Sequence, residues 1–264
     1  MRALRRPALA SLARPLVRRQ LIDDPIDWLR FRIDTFPRRG PLTRLAWVAY
    51  QPLPWVGLNE AERSEGTLSR WEAMRPWLER TGCTTALDLG CNRGFFTLSL
   101  ASGGIAAIGV EPDPPAHRTA LYAIHRAGLD NAGMLSMSVS PDTVRLLPAA
   151  DAVLFLSLWH HLVRAHGLAE ATALLSAIWD RSKRLLLFDT GEAEMPAEYG
   201  LPKMTPTPRD WLAGHLSRAC TGGEVVHLGT HDAYAPDGTH CRRNLFAVAR
   251  SSAVQPDHAT RSST

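Results

Sequence analysis

Ala86-Leu-Asp-Leu-Gly-Cys-Asn-Arg-Gly-Phe-Phe-Thr-Leu-Ser-Leu100 is a short apolar run that ends in an acid, turns on glycines and continues as an apolar stretch of helical character. A strand that turns on glycine into a helix is a cradle for nucleotide-type ligands, because the first backbone N–H groups of the helix point outward at the ligand. A dinucleotide fingerprint would need G-x-G-x-x-G. Aligning its second glycine on Gly90 puts Asp88 at the first glycine and Arg93 at the third, so the dinucleotide reading fails. Asp88 also sets the charge of the cradle. A carboxylate at the strand end repels a pyrophosphate and favours an ammonium or sulfonium group.

Downstream, Ile108-Gly-Val-Glu111 ends a second apolar run on an acid, at about the spacing where a carboxylate accepts hydrogen bonds from a ribose diol. A cationic, ribose-bearing ligand points to S-adenosylmethionine. Outward from this segment, short apolar runs alternate with helical stretches: Thr85 to Leu89, Ile105 to Val110, Met134 to Val139, Ala152 to Leu158 and Leu185 to Phe188. Between them, Phe95 to Ala101, Pro115 to Ala127 and Leu168 to Trp179 supply crossover helices. That alternation predicts a doubly wound, mostly parallel α/β sheet covered on both faces. Glu224 to Leu228 and Asn244 to Ala249 read as strands joined by a long polar turn around Pro236-Asp237-Gly238, closer to a hairpin than to another βαβ unit.

Asp88-Leu-Gly-Cys-Asn-Arg-Gly94, followed by Gly109-Val-Glu-Pro112, closely resembles the first two motifs of class I S-adenosylmethionine-dependent methyltransferases. The resemblance covers about residues 66–250. It implies a Rossmann-like, seven-stranded fold with an antiparallel last strand, and S-adenosylmethionine as methyl donor. It further implies that Gly90 and Gly94 admit the methionine moiety, that Asp88 lies by its amino group and that Glu111 holds the ribose. Asn92, counted with the donor site, stands where many members have glycine. The D-L-G-C-N-x-G form occurs in several branches, including RNA phosphate-capping and tRNA wobble-base types, and leaves the acceptor open. Many relatives carry an acid beside adenine after the third strand; here Met137-Ser-Val-Ser-Pro-Asp142 offers Ser138, Ser140 or Asp142.

After the fourth strand, Leu156-Ser-Leu-Trp-His-His-Leu162 resembles the S-x-x-H-H-L segment of many small-molecule methyltransferases. Ligands in open α/β sheets sit at the carboxyl ends of strands, so Ser157, Trp159, His160 and His161 are expected to border donor and acceptor. Either histidine could instead cap a helix or pack on the sheet. Methyl transfer from a sulfonium is an in-line displacement that releases a neutral thioether, so alignment in a dry site supplies most of the catalysis without a metal in principle. An oxygen or nitrogen acceptor must still lose a proton. His160 or His161 is the candidate general base.

The chain has 264 residues, 45% hydrophobic and 21% charged, with a formal net charge of +4. That composition excludes a fibrous or wholly disordered chain and suits one sizeable domain with an extension. The expected organisation is a basic and aromatic N-terminal extension with helical content over 1–65, the methyltransferase domain over 66–250 and a disordered tail over 251–264. No window reaches the roughly 18 apolar residues of a membrane span, and the start lacks the apolar run of a secretory signal, so the expected location is cytoplasmic. Cys83, Cys91, Cys220 and Cys241 show no CxxC spacing and read as reduced thiols. Oligomeric state is not legible.

Arg2, Arg5, Arg6, Arg14, Arg18 and Arg19 precede the first acid, Asp23, and could form a basic amphipathic helix on a membrane surface or nucleic acid, or simply a frayed end. Asp24-Pro25 begins a helix with Ile26, Leu29 and Ile33 on one face, stopped by Pro37 and Gly40. Ser69 and Glu72 have capping-box spacing, and Pro76 predicts a kink or restart. Trp47, Tyr50, Trp55 and Trp71 could cover the donor cleft, stack on a flat substrate or join the core. Arg63 and Arg70 could pair with an anionic group on the acceptor, but neither is taken as a site. His231-Asp232 and His240-Cys241 match no metal-binding spacing and read as surface loop. Glu192, Glu194 and Glu198 read as a solvated acidic loop or an acceptor site.

The expected function is methyl transfer to a small-molecule, glycan or lipid-linked, or nucleoside acceptor. RNA methylation is the alternative, supported by a sequence pI near 9.1. The reading from a different class is a non-catalytic subunit that keeps the donor fold and binds S-adenosylmethionine as a scaffold.

Overall fold

The computed structural model describes residues 25–35, 51–59, 64–251 and 253. The arginines before Asp23, the Asp24 cap, the Pro37 and Gly40 stop, Trp47, Tyr50, Arg63 and most of the tail lie outside the described residues. Helices are α1 (Pro25–Thr35), α2 (Glu65–Arg80), α3 (Phe95–Ser102), α4 (Pro114–Ala127), α5 (Trp159–His166), α6 (Leu168–Arg181) and α7 (Pro208–Ala219). Strands are β1 (Thr85–Leu89), β2 (Ala106–Val110), β3 (Ala132–Leu135), β4 (Ala150–Leu156), β5 (Ser182–Asp189), β6 (Gly223–Tyr234) and β7 (His240–Arg250). Among the described residues no helix is long and apolar enough to cross a membrane.

The strands form one seven-stranded sheet of order β3-β2-β1-β4-β5-β7-β6. β1 to β5 run parallel, and β7 is antiparallel to both β5 and β6. The doubly wound, Rossmann-like sheet with an antiparallel final strand is therefore present. Strand order reverses between β1 and β4, and the carboxyl ends of those two strands open the crevice where α/β sheets bind ligands. Alternate residues feed opposite layers. Leu87, Leu89, Val153, Phe155 and Phe188 pack beneath α5, α6 and α7, whereas Ala86, Leu154 and Leu187 pack with Met74 and Leu78 of α2 and Phe95 and Phe96 of α3.

Several local expectations need correction. β3 occupies Ala132–Leu135 rather than Met134 to Val139. The chain leaves the sheet early because Thr143 folds the next segment into a turn, its hydroxyl donating to the Ser138 carbonyl at 2.6 Å and accepting from Ser140 N–H at 2.9 Å. The 3-10 turn Val144–Leu146 follows. The polar stretch around Pro236 is mostly strand, and the connection is only Ala235 to Thr239. Cross-strand partners such as His240 with Asp232, 3.2 Å apart, satisfy the polar arms of this edge hairpin. Hence His231, Asp232, His240 and Cys241 sit in paired strands, not in a loop.

In α2, Ser69 does not cap: the helix starts a turn earlier at Glu65 and runs through Pro76 without interruption. Pro76 removes one N–H on the exposed side, while buried Met74 and Leu78 hold the opposite side against the sheet. In α1, the face turned to α4 is led by Phe31, stacked on Tyr122 at 4.4 Å, and by Asp34, paired with Arg118 at 3.0 Å. Leu29 and Ile33, expected to mark its apolar face, are 52% and 53% exposed. A helix missed in the sequence, α5, follows β4 directly and is separated from α6 by Gly167.

Candidate donor site at the carboxyl ends of β1 and β4

The turn after β1 is built from left-handed backbone at Gly90 (φ 71°), Asn92 (φ 53°) and Gly94 (φ 84°). A Cβ on Gly94 would come within 2.9 Å of the Ala120 Cβ, so glycine is required there for close packing as well as for conformation. Asn92 occupies the left-handed region because asparagine is the side chain that tolerates it best, its Oδ1 accepting from Arg93 N–H at 2.8 Å. The same motif opens α3 at Gly94, its N-cap. Phe95 N–H is engaged by Gln51 Oε1 at 3.4 Å, and Gln51 Nε2 donates to the Cys91 carbonyl at 3.3 Å.

Asp88 is 2% exposed, with its Oδ2 accepting the Thr97 hydroxyl at 2.8 Å. Burial pushes its carboxyl up to about 7, against the pull of the Thr97 hydrogen bonds, and nearby Glu111 adds to the rise. Glu111 ends β2 on the same rim, Oε2 accepting Asn92 N–H and Oε1 accepting Asp113 N–H, both at 2.8 Å. Burial raises its carboxyl too, with the two backbone donors opposing. Thus Asp88, Gly90, Asn92, Gly94 and Glu111 are gathered at one end of the β1–β2 pair, with each acid leaving lone pairs for further donors.

Across the cleft, Ser157 follows β4 with φ 53°, a left-handed conformation that costs a serine energy. It is held by Asp189 at the end of β5, whose Oδ1 accepts Ser157 N–H at 2.6 Å and the Ser157 hydroxyl at 2.9 Å. Asp189 Oδ2 accepts Arg70 Nη1 at 2.6 Å. Burial alone would raise the Asp189 carboxyl, but Arg70, Arg243 and Ser157 hold it below the ordinary value. Gln51, Arg70, Asp88, Gly90, Phe96, Leu156 and Ser157 line the cleft.

The two histidines occupy different environments. His160 is 3% exposed. Its Nδ1 accepts Gly191 N–H at 2.9 Å and lies 3.1 Å from the Thr190 hydroxyl, which fixes the neutral ring with its proton on Nε2. Burial, then His161 and Arg243, drive its pKa well below the ordinary value. His161 is exposed, with its ring 4.2 Å from that of His160 and 5.7 Å from that of Tyr199. Its pKa is also lowered, by partial desolvation and by Arg243 and Arg164. Trp159, by contrast, does not border the cleft. It is fully buried between Phe188, Trp211 and His215, with its indole N–H donating to the Ala171 carbonyl at 3.2 Å.

The acidic stretch after β5 is not a solvated loop. Glu192 is buried and accepts Asn244 N–H at 2.6 Å and Asn244 Nδ2 at 3.0 Å, and Glu194 pairs with Arg243 Nε at 2.6 Å. Only Glu198 is exposed. Trp55 packs on Phe95 and donates to Ser102, and Trp71 lies against the core. Among the described residues, no group of three or more His, Cys, Asp or Glu is assembled to hold a metal ion. Gln51 and Phe96, which line the cleft, and Asp189, which holds Ser157 and Arg70, were not singled out in the sequence. Asp189 had a signal, since Leu185-Leu-Leu-Phe-Asp189 ends an apolar strand on an acid just as β1 does.

No family model matches the chain. It is 31% identical over 117 residues to the O-antigen chain terminator bifunctional methyltransferase/kinase WbdD of Escherichia coli, covering 44% of this chain and 16% of that protein. It is 32% identical over 127 residues to an uncharacterized methyltransferase of Mycobacterium ulcerans (strain Agy99), covering 46% of each. The match thus spans less than half the length of these curated relatives. Among solved structures, WbdD superposes with a TM-score of 0.56 at 22% identity, over 75% of this chain and 43% of that one. Magnesium protoporphyrin IX methyltransferase from Synechocystis PCC 6803, with bound S-adenosylmethionine, superposes at 0.53 and 16% identity over 94% of this chain and all of that one. The chain thus has the fold of these methyltransferases, and over less than half of its length it is similar in sequence to relatives named as methyltransferases.

Proposed function

We propose that the chain binds S-adenosylmethionine at the carboxyl ends of β1 and β4 and transfers its methyl group to an acceptor between α5 and the segment after β5. The observation that carries this reading is Asp88, a carboxylate buried in a glycine-built cradle. A buried acid is costly unless a cation offsets it, and the donor carries both an ammonium and a sulfonium. The residues present fit that group: Gly90 and Gly94, in left-handed backbone, build the turn beneath it, Asp88 would take its ammonium and Glu111 its ribose hydroxyls. When bound, the sulfonium supplies an activated methyl group and a neutral leaving group. Ser157, fixed by Asp189, would border it.

His160 holds its proton on Nε2 while Nδ1 is occupied by Gly191, so its role is to donate and to position. His161 is the better general base: it is exposed, and its lowered pKa keeps the ring neutral and ready to accept a proton near neutral pH. Acceptor classes remain small molecule, glycan or lipid-linked, and nucleoside. The glycan class has additional support from the WbdD relative, named for acting on O-antigen chains. Incubating the full chain with methyl-labelled donor and polysaccharide, RNA or small-metabolite fractions tests this. Label in the polysaccharide fraction, lost in Asp88→Ala, is expected. Label in RNA alone would replace the glycan reading. Tight donor binding with no label in any fraction would favour the scaffold reading.

A further inference from the structure

α1 packs on α4 with one side and leaves the other in solvent. Phe31 and Asp34 face α4, where they meet Tyr122 and Arg118. Leu29 and Ile33 lie one turn apart on the solvent side, in line with Ile26, and all three are more than half exposed, as is Trp28 beside them. Half of the large apolar side chains that the described residues leave exposed therefore fall on this one eleven-residue helix, a cluster rather than a scatter. Arg30 and Arg32 border the ridge on its two sides, Arg32 with its guanidinium 5.8 Å from the centre of the Trp28 ring. The two acids of the helix fall on the α4 side: Asp34 is paired with Arg118, and Asp27 lies 3.4 Å from Arg30.

The charge around α1 is one-sided. Residues 1–59 hold eleven arginines and four acids, a formal +7, whereas the whole chain carries only +4. The remainder is net negative, so the basic excess belongs to α1 and the sequence that flanks it. Between Asp34 and Glu60 there is no acid, against Arg38, Arg39 and Arg44. An apolar ridge set between cations, with a tryptophan at its edge, suits a helix lying in the plane of a lipid surface. Nucleic acid would neutralise the arginines and leave the ridge in water. A second copy of this chain would bring two basic faces together.

We propose that α1 is a docking surface for anionic lipid bilayers. Leu29, Ile33 and Ile26 enter the boundary between headgroups and acyl chains, Trp28 sits at headgroup level, and Arg30 and Arg32 extend their stems to reach lipid phosphates. The arginines on either side of the helix in sequence add long-range attraction to the negative surface. Docking uses none of the residues that line the donor cleft, so it is tested separately from donor binding.

The test is co-sedimentation of the full chain with vesicles of phosphatidylcholine alone and of phosphatidylcholine containing phosphatidylglycerol. Binding to the anionic vesicles, weakening as salt is raised, is expected, with little binding to the neutral ones. Leu29→Asn combined with Ile33→Asn alters two solvent-facing positions and should weaken binding by roughly tenfold or more. Arg30→Gln and Arg32→Gln should each weaken it by roughly fivefold. Failure of wild type to bind anionic vesicles, or equal binding to both kinds, overturns the inference. Undiminished binding of the Leu29→Asn, Ile33→Asn variant overturns it too, because the flanking arginines would then act without α1. Binding of a mixed-sequence RNA without binding of vesicles, or dimerisation lost in the same variant without binding of vesicles, would give the surface to those occupants instead.

Discussion

Replacing Asp88 with Asn should stabilise the ligand-free protein at neutral and alkaline pH while weakening its hold on the donor. The Asp88 carboxyl is raised from 3.8 to about 7 by burial, so the fold favours its protonated form. A group raised in the fold contributes fully below its unfolded value of 3.8, and that contribution is lost as pH rises toward 7. Above that window the native state holds an ionised buried carboxylate, and at about 1.4 kcal/mol per pH unit the cost approaches ~4 kcal/mol. Asn removes the charge and keeps an oxygen to accept the Thr97 hydroxyl. Urea unfolding of wild type and variant should show a gain of about 2–4 kcal/mol near pH 8, shrinking by roughly 2 kcal/mol near pH 5. Taking the difference between the two proteins cancels every other titrating group. A variant with the same stability difference at both pH values, or one less stable than wild type near pH 8, would refute the reasoning. Donor affinity of wild type should rise with pH toward 7 as Asp88 ionises, and Asp88→Asn should lose that dependence.

Gly94→Ala forces a side chain into left-handed backbone and within 2.9 Å of Ala120, so thermal unfolding should report a loss of about 1–3 kcal/mol. Arg243→Met strips Glu194 of its cation at a site only 15% exposed, and chemical denaturation should show a cost of about 2–3 kcal/mol; a neutral result would make that pair dispensable. His161→Ala should lower methyl transfer by roughly 10²- to 10⁴-fold with donor affinity unchanged, measured by single-turnover kinetics once an acceptor is in hand. A loss in donor affinity instead would place His161 in binding.

The parts legible in the sequence are those whose signals are local. β1, its glycine turn and α3 are contiguous, so Asp88, Gly90, Asn92 and Gly94 could be read from one segment, and Glu111 from the next strand. The boundary between β4 and α5 was hidden because Ala152 to Val163 is a largely apolar run without glycine or proline, where periodicity alone cannot divide strand from helix. The break is made by Ser157 in left-handed backbone, and what permits it is Asp189, 32 residues away. Glu192 and Glu194 looked solvated for the same reason: their partners Asn244 and Arg243 lie about fifty positions downstream. Arg70 drew notice only as one arginine among many, since nothing in its neighbourhood announces the cleft that α2 overhangs.

The measurement that bears most directly on this account is calorimetric titration of the full chain with S-adenosylmethionine and S-adenosylhomocysteine, beside an Asp88→Ala, Glu111→Ala double variant confirmed to be folded. Wild type is expected to bind both with micromolar affinity, about −8 kcal/mol, and the folded double variant to bind neither detectably. Absence of binding by wild type, or binding that survives in the double variant, would contradict the assignment of this cleft as the donor site.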